Sequence, residues 1–220
     1  MTPTYPFPDR RGASTGLAYS EGGQSLPARV ERRIRTLLSI PPTEIFEPMV
    51  ITKYDPPEAS APKFSAFDQC YLSTGQRSAC MRNSSTKGAD LYTPHLDAVR
   101  GVPRNATVLI YLTSAETGGQ TVFPLIEAGR DGTSGTTFKD SEHGAMVAAR
   151  PRFEGACDGS HQVLSVPPRR GAALVFFNVI SSDGTEASSD RSTSLHTAHA
   201  ACPVLNVEKW IAQVWHRYVT

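Results

Sequence analysis

Apolar residues in this sequence fall mostly into short runs, separated by turn-forming stretches rich in Gly, Pro, Ser and Asp. Runs of this kind are typical of β-strands rather than of helices. We predict strands at 105–112, 120–123, 163–168, 172–178 and 209–219, and the run at 44–54 is also β-prone. Short strands linked by long loops indicate a mainly β fold of the sandwich or barrel class.

One segment, residues 27–39, has the apolar spacing of an amphipathic helix. Its apolar positions recur at helical intervals, at Val30, Ile34, Leu37 and Leu38. Pro27 suits the first turn of a helix, and Pro41-Pro42 ends it. We therefore divide the chain into an extended N-terminal arm, residues 1–26, and a single domain, residues 27–220.

Two stretches, residues 55–89 and 126–163, contain few apolar positions and no clear period. We predict that both are long loops inserted between strands. The histidines of the second stretch, His143 and His161, have no partner at the spacing of metal ligands, so we place both on the surface. The serine-rich stretch 181–194 is predicted to be another polar loop.

Charge and composition exclude some classes of protein. Lysine plus arginine number 22 and aspartate plus glutamate 21, so the net charge of +1 gives no sign of nucleic-acid binding. No window of about 18 residues is apolar enough to span a membrane. Residues 1–16 lack the apolar core of a signal peptide, so we expect the chain as written to be cytoplasmic. The oligomeric state is left open.

The four cysteines are too few for a disulfide scaffold in a chain of 220 residues, and their spacings match no zinc motif. Cys70 and Cys80 lie close enough in sequence to pair within one loop. Four free thiols are the alternative, which a reducing compartment would favour.

Candidate metal ligands begin in the segment 92–97 (YTPHLD). Residues i and i+2 of a β-strand point to the same face, so His95 and Asp97 can bind one metal from one side. A distant histidine, either His196 or His199, would complete a 2-His-1-carboxylate triad of the kind that holds Fe(II). Such a triad fills three of six coordination positions and leaves the others open.

An H-x-D triplet alone arises often by chance, but longer motifs surround this one in a consistent order. Together they resemble the prolyl 4-hydroxylase branch of the Fe(II)- and 2-oxoglutarate-dependent oxygenases. The matching segments are 92–97, 104–112 (RNATVLIYL), 118–124 (GGQTVFP), 168–178 (PRRGAALVFFN) and 199–215 (HAACPVLNVEKWIAQVW), with looser similarity at 11–16 (RGASTG) and 31–54. The resemblance covers most of the chain.

The resemblance implies a double-stranded β-helix, or jelly roll, with the helix of residues 27–39 packed outside. It also decides between the two histidines. In the family the ligand lies three residues before a Cys-Pro pair and ten before a lysine, as His199 does and His196 does not. The implied metal ligands are therefore His95, Asp97 and His199, and the implied metal is Fe(II).

The activity that the resemblance implies is hydroxylation of peptidyl proline, with 2-oxoglutarate and O2 consumed, succinate and CO2 released, and ascorbate as a further cofactor. The partner would be a proline-containing peptide or protein. Two alternatives stay open: an oxygenase of the same fold that acts on a small metabolite or another residue, and a degenerate, non-catalytic binding module. Many family members work in the endoplasmic reticulum lumen, which would be the compartment if the N-terminus were incomplete.

For the co-substrate, the resemblance implies three contacts. Lys209 would hold the far carboxylate of 2-oxoglutarate, Thr121 would flank it, and Tyr54 would donate its hydroxyl. The family has a much shorter segment between that tyrosine and the H-x-D triplet than the 40 residues found here. Tyr92 and Tyr111 are therefore alternatives to Tyr54.

Substrate contacts are assigned near the expected mouth of the site, to Tyr92, Arg104, Arg191 and His196. Residues 55–89 are either a lid over the substrate groove or a disordered excursion. Val207 stands where the family usually has glycine, so we expect the turn before Lys209 to differ. The resemblance also implies a pairing of Cys157 with Cys202, since plant members have a cysteine in the corresponding loop.

Overall fold

Strands account for much of the regular structure in a computed structural model of the chain, which describes residues 13–17, 24–58, 62–76, 80, 89–98, 104–128, 141–181 and 191–217. The strands are β1 (Ala13–Leu17), β2 (Ile45–Phe46), β3 (Met49–Tyr54), β4 (Tyr92–His95), β5 (Arg104–Tyr111), β6 (Thr121–Glu127), β7 (Val163–Val166), β8 (Ala173–Phe177), β9 (Val179–Ser181), β10 (Arg191–Thr193), β11 (His199–Ala201) and β12 (Lys209–Arg217). The helices are α1 (Leu26–Leu38), α2 (Ala66–Thr74) and α3 (Glu142–Asp158), with a short 3-10 helix at Leu195–Thr197.

The strands form two main antiparallel sheets. The larger sheet has the order β1-β3-β12-β5-β8, with β2 beside β12, and the smaller sheet has the order β4-β11-β6-β7. Strands β9 and β10 form a separate pair. Most neighbouring strands are not consecutive in sequence, so the chain crosses repeatedly between the sheets. The prediction of a mainly β fold is confirmed.

The core lies between the inward faces of the two sheets. The inward cluster that joins them consists of Tyr54, Leu109, Tyr111, Ala201, Val204 and Ile211. Alternate residues of β12 point to opposite faces of the sheet: Ile211 packs inward, whereas Ala212 and Val214 pack outward against α1. Trp215 is buried, with 3% of it exposed.

Helix α1 covers the outward face of the larger sheet. Its N-cap is Ser25, whose hydroxyl accepts a hydrogen bond from the Ala28 amide at 3.4 Å, and its C-cap, Ser39, is left-handed with φ of 54°. Ile34 is buried beneath the helix, as the apolar spacing predicts. Leu37 is an exception, because 72% of it is exposed. The buried stripe is therefore narrower than predicted.

The prediction of a loop at 126–163 is wrong over residues 142–158, which form α3 on the outward face of the smaller sheet. The buried residues of α3 are mostly small: Ala145, Ala149, Phe153, Gly155 and Ala156. Alanine and glycine add little hydrophobicity, so the helical period is weak in the sequence although the buried stripe exists. His143 and His161 are exposed, as predicted.

A proline inside α3 also hid this helix from sequence reasoning. Pro151 removes the hydrogen bond to the carbonyl four residues earlier, which belongs to Val147. Both residues are exposed, with Val147 53% accessible to solvent. A helix can bend away from its core on that side while water binds the freed carbonyl, so the proline is tolerated.

Residues 55–89, also predicted to be a loop, contain α2. Its N-terminus is a capping box: the Asp68 amide donates to the Ser65 hydroxyl at 3.3 Å, and the Ser65 amide donates to the Asp68 carboxylate at 2.6 Å. This part of the stretch is therefore a packed element rather than an excursion. Residues 81–88 lie outside the described residues, so the lid stays a prediction.

Both candidate disulfides form. Cys70 bonds to Cys80 beside α2, and Cys157, near the end of α3, bonds to Cys202 just after β11. All four cysteines of the sequence lie in the described part of the chain and none is free, so the free-thiol alternative is wrong. The second bond ties an outer helix to a central strand of the smaller sheet.

Two segments outside the predicted strands, one predicted to be an extended arm and the other a polar loop, contribute strands. Strand β1, inside the predicted arm 1–26, pairs with β3 and so belongs to the larger sheet, while residues 1–12 lie outside the described part. The predicted loop 181–194 includes β10, which pairs with β9. None of the helices described is long and apolar enough to cross a membrane.

Candidate metal centre

The predicted metal ligands meet at one end of the smaller sheet. Strand β4 ends at His95 and β11 begins at His199, and antiparallel pairing places the two residues directly opposite each other. Asp97 follows two residues after His95. The strand order, with β11 beside β4, therefore brings the distant histidine to the H-x-D triplet.

The three side chains offer ligand atoms that all lie within 4.8 Å of one another. Nε2 of His95 is 3.9 Å from Oδ1 of Asp97, and Nε2 of His199 is 3.6 Å from Oδ2. Asp97 and His199 are buried, and His95 is half-buried. Two imidazole nitrogens and one carboxylate at these separations fit a single Fe(II) ion that keeps open coordination positions.

Hydrogen bonds determine which ring nitrogen of each histidine faces the cluster. Nδ1 of His95 lies 2.9 Å from the carbonyl oxygen of Thr93, and Nδ1 of His199 lies 2.9 Å from that of Thr197. A carbonyl only accepts, so both Nδ1 atoms carry the proton and donate. Each Nε2 atom then has a lone pair that faces the centre of the cluster. A histidine that binds a metal through Nε2 needs this tautomer.

Asp97 is held by a chain of buried side chains. The Thr107 hydroxyl donates to Oδ2 of Asp97 at 2.7 Å, and the Asn178 amide donates to the Thr107 hydroxyl at 2.9 Å. Burial alone would raise the pKa of the Asp97 carboxyl, but electrostatic interactions with His199 and His95 and the hydrogen bond from Thr107 hold that pKa below its ordinary value. Asp97 is therefore ionised and can act as an anionic ligand.

Arg104 lies beside the same aspartate. Its Nε and Nη2 donate to the Glu47 carboxylate at 2.8 and 2.7 Å, and its Nη1 donates to the Asp97 carbonyl oxygen at 3.4 Å. The guanidinium carbon is 4.1 Å from the centroid of the Trp215 ring. These contacts make Arg104 a support for the Asp97 segment, and its predicted contact with substrate stays a prediction.

Aromatic rings surround the two histidines. Tyr92 stacks on His95 with ring centroids 3.7 Å apart and an angle of 26° between the planes. Phe176 packs edge-on against His199 at 4.8 Å, and Phe123 lies 5.9 Å from the same ring. The rings restrict how far each imidazole can turn and keep water from the sides of the cluster.

Two of the predicted substrate contacts lie outside the triad. His196 is half-buried in the 3-10 helix that precedes β11, and the described residues that could share a metal include His199 but not His196. Arg191 begins β10, and its side chain is outside the described part of the structure. The choice of His199 over His196 agrees with this arrangement.

A second group of residues surrounds the amino group of Lys209, which opens β12 on the inward face and is 0% exposed. Its Nζ donates to the Gly119 carbonyl oxygen at 2.5 Å. The same nitrogen lies 5.2 Å from the centroid of the Tyr54 ring and 5.8 Å from that of Tyr111. A buried ammonium group beside aromatic faces is well suited to bind a carboxylate.

Two of the three candidate tyrosines lie in this lysine pocket. Tyr54 is the cross-strand partner of Lys209, and the Tyr111 hydroxyl donates to Oγ1 of Thr121 at 2.9 Å. Burial raises the pKa of Tyr111 to about 12, so its hydroxyl stays protonated and able to donate. Tyr92 lies instead on a histidine of the triad. The predicted co-substrate residues are thus brought together, with Tyr111 beside them.

The backbone near Lys209 explains two features of the sequence. Gly119 has a φ of +69°, and a Cβ atom there would lie 3.3 Å from Cδ of Lys209, so glycine leaves room for the lysine. Val207 is 46% exposed and does not adopt positive φ, because Ser39 is the one non-glycine residue that does so within the described ranges. A valine there fits a turn without a left-handed residue.

Sequence reasoning missed three residues that support the cluster: Glu47, Thr107 and Asn178. A signal did exist for Thr107, because it is the polar residue within the apolar stretch 106–110 of β5, and it is 0% exposed. Asn178 lies 71 positions from Thr107 in the chain. The pairing of β5 with β8 brings Thr107 and Asn178 together, and no local pattern in the sequence predicts that pairing.

Comparison with known proteins tests these inferences. A family model described as the 2OG-Fe(II) oxygenase superfamily matches residues 80–217, which include the triad and Lys209. Membership of this superfamily implies Fe(II), 2-oxoglutarate and O2. Among solved structures, a viral collagen prolyl hydroxylase of Paramecium Bursaria Chlorella virus-1, in complex with 2OG, matches 96% of this chain and 81% of its own with a TM-score of 0.53. At 18% identity this likeness shows the fold, and the jelly-roll prediction is confirmed.

Curated relatives come from Arabidopsis thaliana. Probable prolyl 4-hydroxylase 7 is 33% identical over 131 residues, which make up 56% of this chain and 33% of that protein. Probable prolyl 4-hydroxylase 4 is 31% identical over 126 residues, or 57% of this chain and 35% of that protein. The match thus spans about a third of the length of these relatives. With the family model matching well over half of its length, the chain belongs to the 2OG-Fe(II) oxygenase superfamily.

Proposed function

We propose that this chain is an Fe(II)- and 2-oxoglutarate-dependent dioxygenase that hydroxylates proline in a peptide or protein and releases succinate and CO2. The observation that carries the proposal is a His-Asp-His cluster at one end of the smaller sheet, with Asp97 and His199 buried and His95 half-buried, together with a buried lysine pocket on the larger sheet. The names of the two curated relatives described above, both probable prolyl 4-hydroxylases, support proline as the substrate residue.

His95, Asp97 and His199 would hold Fe(II) through two Nε2 atoms and a carboxylate oxygen. Bound iron, together with 2-oxoglutarate, supplies O2 activation, so that one oxygen atom enters succinate and the other hydroxylates the substrate. The chain orients the ligands through the carbonyls of Thr93 and Thr197, and its aromatic rings limit access of water.

Lys209 would bind the distal carboxylate of 2-oxoglutarate. A charge-assisted hydrogen bond is stronger than a neutral one and gains further strength in a buried pocket. Tyr54 and Thr121 would also contact the co-substrate, which is supported by the 5.2 Å from Lys209 Nζ to the Tyr54 ring and by the hydrogen bond from Tyr111 to Thr121. This role accounts for a fully buried lysine at the start of β12.

The substrate would approach on the side of Tyr92, which is half-buried and stacks on His95. An aromatic ring at that position can pack against the proline of an extended, polyproline-II-like peptide. Arg104, Arg191 and His196 remain the other proposed substrate contacts. Ascorbate is proposed as the accompanying reductant.

The test is succinate formation from 2-oxoglutarate with Fe(II) and ascorbate, in the presence and absence of a proline-rich peptide. Wild type is compared with His199→Ala and with His143→Ala, which alters an exposed histidine on α3. We expect turnover that the peptide stimulates, that His199→Ala abolishes and that His143→Ala leaves unchanged. Mass spectrometry should find one added oxygen on a proline.

Succinate formation at the same rate with and without the peptide would support an oxygenase but contradict proline hydroxylation in that class of peptide. An oxygenase of the same fold acting on a small metabolite or another residue would then be favoured. No turnover together with no metal binding would favour the non-catalytic binding module.

The two disulfides support an oxidising compartment such as the endoplasmic reticulum lumen as the working environment, because cytosolic proteins rarely keep such bonds. Alkylation of thiols before and after reduction, followed by mass spectrometry of protein taken from its native source, tests this. Four alkylated cysteines without reduction would contradict it.

A further inference from the structure

We propose that Thr107 and Asn178 are positioning residues that restrict Asp97 to a single metal bond and so keep a coordination position free for the co-substrate. The inference rests on the proposed function and concerns two residues outside the ligand set. Both are 0% exposed, and Thr107 lies on the larger sheet whereas the triad lies on the smaller one.

The direction of each hydrogen bond in this chain follows from chemistry. The ionised Asp97 carboxylate can only accept, so the Thr107 hydroxyl 2.7 Å away must donate its single proton to Oδ2. The Thr107 oxygen can then only accept, and the Asn178 side chain must turn its NH2 group towards it, at 2.9 Å. The chain therefore runs one way, from amide to hydroxyl to carboxylate.

The backbone anchors the start of this chain. The backbone N–H of Asn178 donates to the backbone carbonyl of Asn105 at 2.7 Å. The backbone carbonyl of Asn178 accepts a hydrogen bond from the backbone N–H of Ser194, also at 2.7 Å. Ser194 in turn caps the 3-10 helix that leads to His199. Asn178 is thus fixed against the strand that carries Thr107 and against the segment that delivers the distant histidine.

A fixed hydrogen bond on Oδ2 has a consequence for metal binding. Oδ2 of Asp97, which lies 3.6 Å from Nε2 of His199, already accepts the Thr107 proton. Oδ1 lies 3.9 Å both from Nε2 of His95 and from Nη1 of Arg104, beyond hydrogen-bond distance, so its lone pairs face the metal site without a proton. A carboxylate that used both oxygens would fill a fourth coordination position. Two histidines and one carboxylate oxygen leave about three of six positions, which is what a chelating 2-oxoglutarate and O2 together require.

Mn(II) alone is the probe, because its affinity and its number of bound waters are measurable without 2-oxoglutarate or peptide. Water-proton relaxation counts the waters on bound Mn(II), and a second titration measures 2-oxoglutarate affinity of the Mn(II) protein. The variants are Thr107→Val, Thr107→Ser and Asn178→Asp. Thr52→Val is the matched control, because Thr52 is equally buried but bonds to Ser14 at 3.0 Å.

Thr107→Val removes the donor, and Asn178→Asp should turn the Thr107 proton away from Asp97, since a carboxylate accepts it. In both variants we expect about two waters on Mn(II) instead of about three, and a loss of about tenfold or more in 2-oxoglutarate affinity. Thr107→Ser keeps the hydroxyl and should restore both values. Thr52→Val should match wild type.

Three waters and unchanged 2-oxoglutarate affinity in both variants would overturn the inference. So would weaker Mn(II) binding with an unchanged water count, which is the sign of a merely structural role. Should Thr107→Val fail to fold, Asn178→Asp carries the same test with a side chain of almost the same shape. Mn(II) binding by wild type that His199→Ala does not weaken would instead show that the metal site, and with it the proposed function, is wrong.

Discussion

At the scale of single residues, three side chains of the site are oriented by hydrogen bonds to backbone carbonyls, whose positions do not depend on side-chain rotamers. His95 and His199 each donate to a backbone carbonyl two residues earlier, and Lys209 donates to the carbonyl of Gly119. Thr93 lies in β4 and Thr197 in the 3-10 helix before β11. Gly119 lies just before β6, where its amide donates to the Pro203 carbonyl. The site is therefore preorganised before any ligand binds.

Replacement of Lys209 by methionine is the residue-scale prediction. Methionine has a similar length but cannot donate to a carboxylate, and a hydrogen bond to a charged group contributes about 1.5–3 kcal/mol. We expect 2-oxoglutarate to bind about ten to a hundred times more weakly, measured as KM for 2-oxoglutarate or by calorimetry. The fold should persist, because an apolar side chain of similar volume replaces a buried charge without cost.

Lys53→Met is the matched control for this prediction. Lys53 is the cross-strand partner of Trp210, the residue next to Lys209, and its ammonium group pairs with Asp55 and Glu208 at 2.7 Å each. Its loss should leave KM for 2-oxoglutarate unchanged. Equal effects of the two substitutions would mean that general surface charge, and not the buried pocket, governs binding.

The residues of the site differ in how far the sequence alone reveals them. The spacing of the H-x-D triplet points to His95 and Asp97, and the family resemblance implies His199 and Lys209 through a short motif, a histidine three residues before a Cys-Pro pair and ten before a lysine. Thr107 and Asn178 could not be predicted, because their roles depend on which strands become neighbours. Strand order is set by packing over the whole molecule, and no short segment encodes it.

At the scale of elements, strands were easier to predict than helices. The β-branched and aromatic runs of β5 and β12 have strong periods, whereas α3 buries an alanine stripe and passes through a proline. Helix α3 nevertheless affects the site, because the Gln120 side chain donates to the Cys157 carbonyl at 3.0 Å. Cys157 is also joined to Cys202, so the end of α3 is bonded to the residue just before β6 and to the residue just after β11.

Removal of the Cys157–Cys202 bond is the element-scale prediction. Pro203, the next residue, accepts a hydrogen bond from the Gly119 amide, and the Gly119 carbonyl holds Lys209. We expect the double substitution Cys157→Ser and Cys202→Ser to raise KM for 2-oxoglutarate several-fold, because the lysine pocket loosens. Stability should fall by about 4 kcal/mol, given a separation of 45 residues. Urea unfolding and initial rates measure the two effects.

The other disulfide provides the control. Cys70 and Cys80 are 10 residues apart beside α2, so their replacement by serine should cost about 3 kcal/mol of stability. It should leave KM for 2-oxoglutarate unchanged, since no contact from this bond to the lysine pocket is present among the described residues. A rise in KM of equal size in both double variants would refute the specific link between α3 and the pocket.

At the scale of the whole molecule, the site lies across the two sheets. The smaller sheet carries the triad, whereas the larger sheet carries Lys209 and Thr107. The hydrogen bond from Thr107 to Asp97 and that from Lys209 to Gly119 both run from the larger sheet to segments next to strands of the smaller sheet. Ligands that engage both sheets should therefore stabilise the complete fold and not only the site.

Thermal unfolding tests this link in two steps. Each ligand at about a hundred times its Kd adds about 2.7 kcal/mol to the free energy of unfolding, which corresponds to a rise in Tm of roughly 5–10 °C for a chain of this size. We expect Mn(II) to raise Tm, and 2-oxoglutarate to raise it further only when Mn(II) is present, because the metal supplies part of its binding site. Lys209→Met should keep the first rise and lose most of the second. His199→Ala should lose both, and a metal-dependent rise that survived in His199→Ala would place the metal elsewhere in the protein.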